Sequence, residues 1–99
     1  MAQFIALLKR NTDQHPAEAF TPELLEAEAE RARRLYTEGT NRAMWSRGDV
    51  PGAVVLIEAA SLDEAKEGLA SLPLIQRDLL LVESLVPLLP YRGFAPRTG

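Results

Sequence analysis

Residues 21–39 constrain the fold of this chain most, because they carry a start signal, a stop signal and one apolar stripe. Thr21 can cap the open N–H groups of a helix, Pro22 suits the first helical position, and Gly39 favours a helix end. Between these signals the apolar residues recur at helical spacing, namely Leu24, Leu25, Ala29, Ala32, Leu35 and Tyr36. The pattern predicts a long amphipathic helix that buries one face and leads into a strand.

Glu28 departs from this pattern. At roughly 100° per residue, Glu28 lies only about 40° from Leu24, near the middle of the apolar stripe. The other charged residues lie mostly outside the stripe, including Glu23, Glu26, Glu30, Arg33 and Arg34. Departures of this kind are expected at functional sites, so Glu28 is the first candidate for chemistry. The alternative is that Glu28 leans to the edge of the stripe and pairs with Arg31 or Arg42.

The remaining segments predict four strands and a second helix. Strands are expected at residues 2–9, 40–48, 53–59 and 78–89. Ser61 and Glu64 form a capping-box signature for a helix that Pro73 ends. The order βαββαβ predicts an α+β, ferredoxin-like fold in a single domain, with a four-stranded antiparallel sheet and both helices on one face.

The second face of this sheet also needs a cover. Residues 53–57 and 79–82 are apolar at consecutive positions, so both faces of these strands favour burial, whereas two helices cover only one. A second copy packed sheet against sheet in a two-fold dimer solves this, and gives a dimeric α+β barrel. Glu83, which interrupts the last strand, is then expected to pair across the two-fold axis.

Composition excludes several classes of function. The chain has 99 residues, a net charge of −3 and no cysteine, which argues against nucleic-acid binding and excludes disulfides, thiolate catalysis and Cys-ligated metals. A single histidine allows no multi-histidine metal site within one chain, and no metal or cofactor is expected. No phosphate-binding loop or dinucleotide fingerprint is present. Without a membrane-length apolar run or a signal peptide, the expected location is the cytoplasm.

Four segments together resemble a known family. They are residues 35–45, which contain Gly-Thr-x-Arg-x-x-Trp, then 61–65, then 69–74 with Leu-Pro-Leu, and 86–88. On these strings the sequence resembles the muconolactone isomerase family, within the dimeric ferredoxin-like α+β barrels. The resemblance implies a homodimer or higher homo-oligomer and the cofactor-free isomerisation of an unsaturated lactone, a small-molecule substrate. Val86 stands where the family often carries a histidine.

Lactone isomerisation needs a base that shuttles a proton, a donor to the enolate-like oxygen, and a dry pocket. Glu28 suits the role of the base, because burial raises the pKa of a carboxyl group. Arg42 or Asn41 could donate to the oxygen, and Trp45 could form a flat wall. Arg42 and Trp45 are three residues apart on a strand, so they point to opposite faces unless a bulge intervenes.

Two further residues are candidates for substrate binding. His15 lies in a loop before the long helix and could overhang the mouth of the pocket. Tyr91, near the C-terminal end, could reach a partner subunit and close its pocket. Two other functions stay open at this point: a cofactor-independent monooxygenase or polyketide cyclase-like enzyme, and a non-catalytic oligomeric protein that binds a small molecule.

Overall fold

The computed structural model describes residues 1–94 and Pro96, and has the predicted α+β architecture. The strands and helices, in chain order, are β1 (Ala2–Arg10), α1 (Pro22–Thr37), β2 (Asn41–Ser46), β3 (Gly52–Ala59), α2 (Leu62–Ala70), α3 (Pro73–Gln76) and β4 (Leu80–Leu88). The four strands form one antiparallel sheet in the order β2-β3-β1-β4, which is compatible with a ferredoxin-like fold.

Helix α1 begins and ends where its sequence signals predict. The Thr21 hydroxyl accepts a hydrogen bond from the Leu24 N–H at 3.2 Å, and Pro22 occupies the first helical position. Beyond the last turn, Gly39 adopts a left-handed φ of +88°, which costs glycine little. These local signals fix the helix so that Leu35 is buried in the core, whereas Tyr36 is exposed.

The core lies between the helices and one face of the sheet. Phe4, Ala6 and Leu8 alternate along β1 toward this face, and β3 continues it because Phe4 pairs with Ile57 and Ala6 with Val55. Leu35, Leu69, Leu72 and Leu74 close the core from the helical side. Alternation along the strands thus decides which side chains meet the helices.

None of the described helices packs on the opposite side of the sheet, which is called the open face here. It carries Ile5, Leu7, Val54, Leu56, Trp45 and Val86, placed there by strand register. The first four are half-buried, while Trp45 and Val86 are exposed. Within one chain, the side chains of β1 are therefore fully buried only on the helical face.

A network of ion pairs connects the turn between β2 and β3 to strand β4. The Arg47 side chain is only 10% exposed; it donates to both carboxylate oxygens of Asp49, at 2.7 and 2.9 Å, and to Glu83. Glu83 lies where the pairing of β4 with β1 shifts register. The acid that interrupts the last strand thus has a partner within its own chain, so pairing across a two-fold axis is not needed to explain it.

Two local features differ from the sequence prediction. Pro73 follows the end of α2 as expected, but it also starts the one-turn helix α3, because proline fits the first helical position. Strand β2 is shorter than predicted, and its pairing with β3 shifts register between Asn41 and Ala43. The bulge that the sequence allowed as an exception is therefore present, and it falls at Arg42.

Candidate functional site

Glu28 lies on α1 opposite the start of α3, where its half-buried side chain serves as a cap. The Leu74 N–H donates to Glu28 Oε1 at 2.9 Å, a contact between residues 46 positions apart. Leu72, at the cap position of α3, has no side chain that could accept this bond. A carboxylate from another helix therefore satisfies one open N–H of α3.

Burial raises the pKa of the Glu28 carboxyl group above its ordinary value of 4.5, because the charged form loses water. The Leu74 N–H and the positive charge of Arg10 act in the opposite direction and lower the pKa, but burial is the larger effect. Arg10 itself lies over the ring of Phe20, with its guanidinium carbon 4.9 Å from the ring centroid. Glu28 thus combines a desolvated carboxyl group with a nearby cation.

Arg42 does not lie beside Glu28. Its Nε is 3.4 Å from Glu58 Oε2, and both side chains are partly exposed. Strand β2 begins where α1 ends, whereas Glu28 lies ten residues before Glu38, or about 15 Å along the helix axis. Arg31, the other suggested partner of Glu28, instead donates from its Nε to Ser71 Oγ at 2.9 Å.

A groove of about 580 Å³ lies beside Arg42, at the C-terminal end of α1. Its charged lining residues are Arg31, Glu38, Arg42, Glu58, Glu64 and Glu67. Glu28 is not among its lining residues. The most voluminous groove described is therefore highly charged and separate from the half-buried acid, so it does not provide the dry pocket that the proton shuttle needs.

Asn41 is buried at the start of β2, on the helical face of the sheet, where it pairs with Ile57. Together with Arg42 it lines a second cavity, of about 360 Å³. The two predicted oxygen donors therefore lie together, but away from Glu28.

His15 is held by the turn before β4. Its Nε2 lies 3.3 Å from Asp78 Oδ2, and Asn11 Nδ2 donates to both the backbone and the side chain of Asp78. Asp78 has a left-handed φ of +64°, which aspartate tolerates better than most residues. These contacts attach the loop after β1 to the turn before β4.

The remaining two candidates lie at the surface. Trp45 is 55% exposed on the open face, in register with Val54. Tyr91 is exposed beyond β4 and packs edge-on against Phe94, with ring centroids 4.9 Å apart. Within one chain, neither contributes a wall to the surroundings of Glu28.

Sequence reasoning missed Arg10 and the Leu74 N–H. Arg10 had a usable signal, because it continues the even-numbered positions of β1, which face the helices. The Leu74 N–H had none, since a backbone group becomes a partner only when α3 forms against α1. The cation that acts on Glu28 in the structure is therefore Arg10, whereas the sequence predicted Arg42.

Among the residues that the structure describes, no group of three or more His, Cys, Asp or Glu side chains could hold a metal ion. In the same part of the chain, no helix combines the length and the apolar character needed to cross a membrane. Comparison with protein-family models finds no match for the sequence, and comparison with curated proteins finds no significant match. We therefore infer function from the residues and their geometry.

Proposed function

We propose that this chain is a cofactor-free isomerase that moves a double bond in an unsaturated lactone or a related conjugated carbonyl compound. The observation that carries the proposal is the half-buried Glu28 carboxyl group, whose pKa is raised by burial. A carboxyl group with a raised pKa holds a proton more readily near neutral pH, so it can both take and return one. The resemblance of residues 35–45 and 69–74 to muconolactone isomerases supports the same chemistry.

In this proposal the two oxygens of Glu28 have different roles. Oε1 accepts the Leu74 N–H and is held in place, so we assign the proton to Oε2. Oε2 takes the proton from the carbon next to the carbonyl, and the electron pair of that C–H bond moves into a dienolate. The same oxygen then returns a proton, either the one abstracted or a deuteron gained by exchange with D2O, to the distant carbon, which leaves Glu28 ionised and the double bond moved.

We assign Arg10 the role of stabilising the negative charge that develops on the enolate oxygen. Its positive charge already acts on Glu28, and a cation near an enolate oxygen stabilises the transition state electrostatically. Contact with the face of Phe20 orients its guanidinium group. Arg42, the residue that the sequence favoured, is paired with Glu58 at the other end of α1.

We also propose that two copies pack through the open face. Ile5, Leu56 and Val86 lie across three adjacent strands in one row, and Leu7, Val54 and Trp45 form further contacts along the same face. A contiguous apolar surface of this kind favours burial against a binding partner. A second copy of the chain offers the same apolar surface, related by two-fold symmetry. Such a dimer would shield the sheet and give the α+β barrel that the sequence predicts.

The test is proton exchange in D2O with a panel of α,β- and β,γ-unsaturated γ-lactones. Wild-type protein should incorporate deuterium next to the carbonyl and at the distant carbon. Glu28→Gln should lower this rate by roughly 10²–10⁴-fold, because it removes the base and keeps an acceptor for Leu74. Glu23→Gln, an exposed change on the same helix, is the matched control and should behave as wild type. Undiminished exchange in Glu28→Gln would exclude Glu28 as the base.

A non-catalytic protein that binds a small molecule is the second candidate, because the bond to Leu74 gives Glu28 a structural role. On this alternative, the lactones bind without isotope exchange, and Glu28→Gln changes neither binding nor exchange. The same deuterium experiment therefore separates the two functions.

A further inference from the structure

Two buried asparagines of this chain have opposite surroundings. Asn11 is 5% exposed and Asn41 is 3% exposed. Asn11 Nδ2 has three acceptors within 3.1 Å, on Gln14 and Asp78, whereas Asn41 Nδ2 has no hydrogen-bond acceptor among the described residues. Buried side-chain donors are nearly always paired, so the Asn41 amide requires an explanation of its own.

Asn41 lines a cavity of about 360 Å³ between the end of α1 and the start of β2. The lining residues are Tyr36, Thr37, Asn41 and Arg42. Each has a side chain with an N–H or O–H donor, and none is acidic. This cavity therefore differs from the neighbouring groove, which four glutamates line.

We propose that this cavity binds a small organic carboxylate, with Asn41 as the buried donor and Arg42 as the positive charge. A carboxylate is an acceptor with two oxygens, so it can take hydrogen bonds from an amide and a guanidinium at once. The volume is at the lower end of the range for small-molecule sites. The inference does not rest on the proposed isomerase activity, because Glu28 lies eight residues before Tyr36, the first lining residue, or about 12 Å along α1 by helix rise.

A helix C-terminus normally repels a negative ligand, because its last carbonyl oxygens are exposed and unpaired. At the end of α1 this repulsion is reduced. Its last carbonyl groups already accept hydrogen bonds: Arg33 O from the Thr37 hydroxyl, Arg34 O from Glu38 N, Leu35 O from Thr40 N, and Tyr36 O from Gly39 N. These bonds satisfy the carbonyl oxygens locally. Glu58 partly offsets the charge of Arg42, but it does not line the cavity.

The test follows the side-chain amide signals of Asn41 and Asn11 by ¹H–¹⁵N NMR while acetate or benzoate is added at constant ionic strength. We expect a saturable shift of the Asn41 signal and no shift of the Asn11 signal. Benzylamine, a cation similar in size to benzoate, should move neither signal. The proposal is overturned if neither carboxylate shifts Asn41, or if benzylamine shifts it equally.

Two variants extend the test. Asn41→Leu keeps the number and branching of the side-chain heavy atoms and removes the unpartnered donor, so it should weaken carboxylate binding about tenfold or more and raise the Tm of the unliganded protein. Arg42→Gln, at a partly exposed position, should weaken binding to a similar extent while the fold is retained. A lower Tm together with unchanged carboxylate binding in Asn41→Leu would assign Asn41 a structural role only and overturn the proposal.

Asn11→Leu is the matched control. It removes a donor that has partners, so it should lower the Tm and leave carboxylate binding unchanged. Glu28→Gln should also bind the carboxylate as wild type does. Failure of the isomerase proposal would therefore leave this result intact, and the reverse also holds.

Discussion

Three interactions change the pKa of the Glu28 carboxyl group: one raises it and two lower it. Burial favours the neutral acid, whereas the Leu74 N–H and Arg10 favour the carboxylate. Burial is the largest, so the pKa in the folded chain lies above 4.5. Between 4.5 and that raised value the folded state binds more protons than the unfolded state, and the contribution of Glu28 to stability falls as the pH rises. Ionisation therefore makes Glu28 less stabilising than the neutral acid is, although the carboxylate still accepts the Leu74 N–H.

The structural role of Glu28 gives a separate prediction. Glu28→Ala leaves the Leu74 N–H without its acceptor and should lower the free energy of unfolding by about 0.5–2 kcal/mol, whereas Glu28→Gln keeps the acceptor and should not. Urea denaturation at pH 7, followed by circular dichroism, measures both. Glu23→Ala, at an exposed position, is the control and should change stability by no more than about 0.5 kcal/mol. Equal stability of Glu28→Ala and Glu28→Gln would show that the cap contributes nothing.

At the scale of elements, local signals predicted α1 but not α3. Thr21, Pro22 and Gly39 mark the limits of α1 within its own sequence. Helix α3 has four residues and depends on an acceptor from α1, so neighbouring residues carry too little information to predict it.

The sequence predicted only part of the candidate site, because some of its contacts depend on elements that are distant in the chain. Helical spacing placed Glu28 on the packed side of α1, but it could not give the position of other elements along the helix axis. Strand β2 follows α1 directly and therefore starts at its C-terminal end, which keeps Arg42 away from Glu28. Arg10 comes close because it ends β1 and lies over Phe20, which directly precedes the N-cap residue of α1, Thr21. Connectivity, added to periodicity, would have favoured Arg10.

The molecule as a whole is longer than a compact chain of its size. It measures 61 × 27 × 20 Å, and its radius of gyration is 15.4 Å, compared with about 13 Å for a compact domain of ~100 residues. Leu89, Tyr91 and Phe94 are exposed beyond β4. The proposed packing against a second copy would account for both the open apolar face and the exposed apolar residues after the last strand.

The proposed dimer can be tested by placing a charge on the open face. Val86→Glu adds a charge to an exposed position on the open face and should convert a dimer to a monomer, measured by sedimentation velocity. Ala27→Glu, an exposed change on α1, is the control and should leave the assembly intact. A monomeric wild-type protein, or a Val86→Glu variant as dimeric as wild type, would contradict packing through this face.

We propose that burial keeps the Glu28 carboxyl group ready to hold and release a proton. NMR titration of its side-chain carboxyl carbon in the folded wild-type protein measures this directly. We predict a pKa above 4.5 for Glu28. A pKa at or below 4.5 would show that the Leu74 N–H and Arg10 outweigh burial, and would contradict the role of Glu28 as a proton shuttle.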